Sequence, residues 1–100
     1  MINDVEIKIL NKICDERGRI MHMLKSTDSN FEQFGEIYFS TAYPGVVKGW
    51  HEHTKMTLNY AVLKGMIKLV LYDNREASST YKQTQEIVMG VHNYVLEKIP

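Results

Sequence analysis

The sequence predicts an all-β fold, a sandwich or jelly-roll barrel, on three observations. Apolar and polar residues alternate with period two along several short runs, as they do on a half-buried strand. Turn-forming Gly, Pro, Asn and Asp recur between those runs. After Gly18, β-branched and aromatic residues outnumber strong helix formers, and no long 3.6-residue periodicity competes.

The elements follow in order. Val5, Ile7 and Ile9 alternate with Glu6, Lys8 and Leu10 in a first strand. A short helix over Asn3 to Cys14 is the rival reading, from the spacing of Ile7, Leu10, Ile13 and Cys14. Lys12 to Gly18 reads as a turn, and Arg19 to Leu24 as a second strand. Ser26 to Asn30 is a loop by composition. Gly35 to Tyr43 sets Ile37, Phe39 and Thr41 on one face, and Pro44-Gly45 interrupts the chain. Val46 to His53 and Met56 to Leu63 read as central strands. Lys64-Gly65 is a tight-turn signal that makes Met66 to Tyr72 the hairpin partner of Met56 to Leu63, with Ile67, Leu69 and Leu71 on one face. Asp73 to Thr80 is a polar loop, and Tyr81 to Met89 and Tyr94 to Ile99 are strands around a Gly90 turn. About eight short strands result.

Bulk properties restrict the function. One hundred residues make one domain, expected to span 1–100, with 44% hydrophobic and 24% charged residues. Twelve basic and twelve acidic side chains cancel, and no like-charge block occurs. A nucleic-acid binder would carry a basic stripe, so no nucleic-acid partner is expected. Cys14 stands alone, so no intrachain disulfide forms. With no apolar N-terminal run and no membrane-length stretch, a cytoplasmic protein with no membrane partner is expected.

The chemistry concentrates between Gly45 and Gly65, GVVKGWHEHTKMTLNYAVLKG. On a strand, His51 and His53 would share one face, with Trp50 and Glu52 on the other. Paired imidazoles inside a barrel suit proton transfer near neutral pH or metal ligation. The structural alternative is two hydrogen-bonded barrel histidines without chemistry, at odds with the cost of burying polar groups in a purely structural core. Lys48, Lys55, Asn59 and Tyr60 are the nearby donors. His22 and His92 read as a strand residue and a loop residue. Trp50 and the tyrosines are either stacking surfaces or ordinary barrel aromatics.

The spacing of Gly45, His51, His53 and Gly65 resembles the first cupin motif, with Leu58 where that motif has Glu. DERG at Asp15 to Gly18, GVVKGWHEH, and DNREASST at Asp73 to Thr80 are similar to segments of the dTDP-4-dehydrorhamnose 3,5-epimerase group. The resemblance implies a cupin jelly-roll barrel (a double-stranded β-helix), incomplete at the C-terminus because the chain stops where the second motif would begin. It implies a homodimer in dTDP-rhamnose or related polysaccharide biosynthesis, with a nucleotide-sugar substrate and no organic cofactor. His51 matches the base that removes the proton beside the sugar ketone. Lys48 stands at a substrate-pocket arginine, Arg17 at an arginine that meets the diphosphate, and Arg75 at a structural arginine. The enolate-stabilising lysine would fall on Leu58. His53 stands where epimerases usually have Gln, whereas related 3,4-ketoisomerases carry two histidines. A non-catalytic sugar-nucleotide binder is the remaining alternative. Metal is not expected, because Leu58 replaces the Glu ligand and the second motif is missing.

Overall fold

The computed structural model describes residues 1–100 and contains seven strands and no helix. They are β1 (Glu6–Ile9), β2 (Lys12–Asp15), β3 (Gly18–Met21), β4 (Leu58–Tyr60), β5 (Met66–Tyr72), β6 (Thr84–Gly90) and β7 (Val95–Ile99). All pairings are antiparallel. β7 is the centre of a three-stranded sheet between β1 and β4, while β2–β3 and β5–β6 are separate hairpins.

Register decides which side chains share a face. Ile7 and Tyr60 lie opposite Glu97, Ile9 opposite Val95, and Leu58 opposite Ile99, so these residues form one face of the sheet. The other face carries Leu96 and Lys98. Leu96 packs with Leu10 and Tyr94 in a small core, joined by Met21, Met23, Leu24 and Ala61. The Tyr94 hydroxyl donates to the His22 carbonyl at 2.6 Å, and ion pairs Lys8–Asp28 (3.3 Å) and Lys98–Glu32 (3.4 Å) fasten the covering segment. Burial pushes the Tyr94 phenol up from its ordinary value.

In the β5–β6 hairpin, Ile67 lies opposite Met89, Leu69 opposite Ile87 and Leu71 opposite Gln85, the inward face expected from the alternation. The hairpin meets the Glu97 face through Gln85, whose Nε2 donates to Glu97 Oε1 at 3.0 Å. The sheet is therefore covered around Leu96 on one side and around Glu97 on the other, while Ile9 stays exposed.

Several expectations are corrected. Lys12 to Asp15 is a strand rather than part of a turn, because it pairs with β3 from Lys12↔Met21 to Asp15↔Gly18. No N-terminal helix forms, since β1 gains a ladder with β7 instead. Met56 to Leu63 contracts to β4 and pairs with β7, leaving β5 to pair with β6. Lys64-Gly65 is a turn, with Gly65 at φ 76°, but it joins strands of different sheets. Gly35 to Tyr43 and Val46 to His53 are not strands. Within 32–57 the backbone makes one backbone–backbone hydrogen bond, from Val46 N to Tyr43 O at 3.1 Å across the Pro44-Gly45 turn. Alternation alone cannot make a strand without a neighbouring edge to bond. Phe34, Phe39, Tyr43, Val47 and Trp50 stand exposed along this segment.

Candidate functional site

DERG is a hairpin tip. Asp15 Oδ1 accepts the Arg17 backbone N–H at 2.8 Å, and Arg17 Nη2 lies 2.7 Å from Asp15 Oδ2. Gly18, at φ 139°, turns the chain into β3. The Arg17 side-chain bond holds the Asp15 carboxyl below its ordinary value. Arg17 is thus presented to solvent, with its guanidinium partly engaged by its own turn.

DNREASST is a closed polar cage. Asp73, 3% exposed, accepts from Arg75 Nε (2.9 Å) and Nη2 (3.0 Å), the Arg75 backbone N–H (3.1 Å), Ser78 Oγ (2.7 Å) and Thr80 Oγ1 (2.6 Å). Arg75 continues to the Asn3 carbonyl at 2.6 Å and to Asp4 Oδ2 at 3.3 Å, while Asn3 N–H donates to Thr80 Oγ1 at 2.9 Å. The motif pins the N-terminal segment to the loop after β5. Arg75, then desolvation and the two hydroxyls, set the Asp73 balance, and its carboxyl lies far below the usual carboxylate range. Asp73 raises the Arg75 guanidinium in turn.

From that loop, Asn74 Nδ2 donates to Glu52 Oε2 at 2.7 Å. Glu52 stands between His51 and His53, so the polar loop anchors the histidine segment. Lys48 Nζ donates to Ser40 Oγ at 3.1 Å and to the Thr41 carbonyl, bracing the segment at its other end.

The histidines themselves are exposed and lie on irregular chain, not on the inner face of a strand. Asn59 and Tyr60 are neighbours on β4 and therefore face opposite sides of the sheet. Tyr60 shares the Glu97 face. Asn59 shares the Lys98 face, with its Oδ1 buried and without a protein partner. No hydrogen bond or ion pair joins any two of His51, His53, Lys48, Arg17, Asn59 and Tyr60. Surface clefts beside Thr57 and Lys98, and beside Leu10 and His22, include none of them. No three His, Cys, Asp or Glu side chains converge as a metal-ligand set.

Residue-by-residue reading missed Asn74 and Glu97. Asn74 lies inside the quoted DNREASST stretch, where an amide after a strand end was a usable signal. Glu97, fully buried on β7, reads in sequence as a polar break in an alternating strand.

The seven antiparallel strands define an all-β protein, consistent with a cupin-like fold. No protein-family model matches the chain. A crystal structure of a dTDP sugar isomerase from Desulfovibrio desulfuricans G20 superposes with a TM-score of 0.96 at 41% identity, covering 99% of this chain and 64% of that one. The chain is 37% identical over 101 residues to a protein of Haloferax volcanii described as a probable low-salt glycan biosynthesis epimerase, Agl13. The match covers 99% of this chain and 65% of the relative. It is also 37% identical over 100 residues to the spore coat polysaccharide biosynthesis protein SpsL of Bacillus subtilis, covering 100% of this chain and 66% of the relative. By these likenesses the chain is similar to sugar epimerases and isomerases of cupin-like fold, and it spans just under two thirds of the length of these relatives.

Proposed function

We propose that this chain is the cupin-like unit, residues 1–100, of an enzyme that epimerises a nucleotide-linked 4-keto-6-deoxy sugar. The observation that carries the reading is the superposition on a dTDP sugar isomerase over 99% of the chain. The relative described as an epimerase adds support.

His51 is the base. Its neutral imidazole takes the proton from the carbon beside the ketone, and the C–H electron pair moves into an enolate whose oxygen carries the charge. Returning a proton to the opposite face restores the ketone with inverted configuration. Lys48 and Arg17 supply positive charge for the enolate or the diphosphate, with Tyr60 and Asn59 as further substrate contacts. Asn59 takes part only with a substrate that reaches the opposite face of β4. Neither a metal nor an organic cofactor enters the scheme.

His53 favours a second reading, a 3,4-ketoisomerase in which His51 and His53 act as base and acid and the carbonyl moves to C3. The description of the structural relative as an isomerase is compatible with both.

The assembly we propose is a homodimer, in the cytoplasm, acting in dTDP-rhamnose or related polysaccharide biosynthesis. The accessible surface is 8030 Å², against ~5,800 Å² expected for a folded chain of this mass. Exposed apolar side chains gather along 34–50, among them Phe39, Tyr43, Val47 and Trp50, as an interface would.

Proton NMR of dTDP-4-keto-6-deoxyglucose with the protein in D₂O tests the reading. Deuterium at C3 and C5 with inverted products supports the epimerase. Exchange at C3 with a moved carbonyl supports the ketoisomerase. Binding without exchange overturns both and leaves a sugar-nucleotide-binding module.

A further inference from the structure

Glu97 is fully buried and, unlike buried Asp73 with its Arg75 partner, forms no ion pair. It lies on the central strand of the three-stranded sheet, opposite Ile7 on one side and Tyr60 on the other. Its Oε1 accepts from Gln85 Nε2 at 3.0 Å, and Gln85 Oε1 accepts the Ile2 backbone N–H at 2.8 Å. This chain of bonds links the N-terminal segment, the β5–β6 hairpin and the three-stranded sheet. Glu97 Oε2 is buried and has no protein partner.

The surroundings contain nothing to balance a charge. From β1 the facing residue is Ile7, with Glu6 and Lys8 on the opposite face. From β4 it is Tyr60, which brings no cationic group. From the hairpin it is the neutral Gln85, beside Leu71, while Thr84 and Glu86 point outward. At the N-terminus the contact passes through the Ile2 amide and Gln85. No ion pair reaches Glu97; Lys98, next along β7, bonds Glu32 on the other face. An unpaired buried carboxylate is costly, whereas a neutral carboxylic acid keeps the Gln85 bond at Oε1 and leaves only the Oε2 hydroxyl without a partner.

We propose that Glu97 and Gln85 form a proton-dependent tie between the two sheets: the tie is closed with Glu97 neutral, and ionisation of Glu97 slackens the packing of the β5–β6 hairpin. Burial accordingly pushes the Glu97 carboxyl up from its ordinary value. The sign follows from linkage. The folded state holds this proton more tightly than the unfolded chain, so the contribution is fully present below the unfolded value, near pH 4.5. It is lost as pH rises through the folded value and is constant beyond it. The proposal does not depend on the sugar-nucleotide reading.

The test compares the full chain with Glu97→Gln, which keeps shape and hydrogen-bonding capacity without a titrating proton. Urea unfolding is followed from pH 4.5 to 9. The wild-type folding constant should fall roughly tenfold for each pH unit separating the folded from the unfolded value, and Glu97→Gln should lack that fall. Amide exchange across 84–90, corrected for intrinsic rates, should accelerate over the same window in wild type alone. Superimposable stability profiles overturn the proposal. If Glu97→Gln does not fold, a ¹³C-carboxyl titration of wild-type Glu97 decides: an ordinary glutamate value overturns the proposal, and a raised one supports it.

Discussion

Asn74, at the start of the loop after β5, donates its side-chain amide to Glu52, the residue between His51 and His53, at 2.7 Å. This bond couples the polar network built on Asp73 and Arg75 to the segment on which the proposed chemistry rests. Asn74→Ala should lower turnover about 3- to 10-fold, the effect of losing one charge-assisted bond worth about 1 kcal/mol at an exposed site. The melting temperature should hardly change. Deuterium incorporation measured beside thermal unfolding separates the two effects, and a large fall in melting temperature would assign the bond to stability instead.

The Asp73 cage supports stability, and breaking it has a predictable cost. Asp73→Ala removes the acceptor for Arg75, Ser78 and Thr80 together and frees the N-terminal segment. A loss of about 3 kcal/mol is expected. Arg75→Lys should recover little, because an ammonium cannot reproduce the paired Nε and Nη2 bonds. Urea unfolding midpoints check both.

Acid sensitivity follows from the same carboxyl. Asp73 lies far below the usual range in the folded protein, chiefly through its bonds from Arg75. Its contribution is therefore complete above the unfolded value, about 3.9, and is lost as pH falls towards the folded value. Asp73→Asn should flatten this acid limb of the stability profile while leaving the limb above pH 4.5 that is assigned to Glu97. Unfolding scans from pH 2 to 6 measure it.

His51→Ala should abolish deuterium exchange beside the ketone while leaving stability within about 0.5 kcal/mol, since the side chain is exposed. His53→Gln separates the two enzymatic readings. An epimerase tolerates the change, whereas a ketoisomerase that uses both imidazoles loses carbonyl migration. Unchanged exchange in His51→Ala would remove His51 from the mechanism.

Leu96, fully buried at the centre of the Leu10–Tyr94 cluster, is the core position with most to lose. Leu96→Ala should cost about 3 kcal/mol, and Tyr94→Phe about 1 kcal/mol through loss of the bond to the His22 carbonyl. Both are read as shifts in urea midpoint.

Period-two alternation by itself determined the all-β class, the bounds of β5 and its inward Ile67, Leu69 and Leu71, because side-chain direction along a strand is local. The turn chemistry of Gly18, Pro44-Gly45 and Gly65 was equally legible, since positive φ at glycine is a property of single residues. The quoted segments also carried the relationship to dTDP-sugar epimerase/isomerase-like cupins. Tertiary structure alone decided the partners. β4 bonds β7 rather than β5, and the alternating runs around Phe39 and His51 stay irregular, because a ladder depends on an edge elsewhere in the fold. The same holds for the site. The His-x-His spacing and the family resemblance marked His51, His53 and Lys48, but only the folded chain brings Asn74 to Glu52 and places Tyr60 and Asn59 on opposite faces of one strand. Glu97 is the sharpest case: its side chain is ordinary in sequence, and its protonation becomes a structural matter only where two sheets close over it.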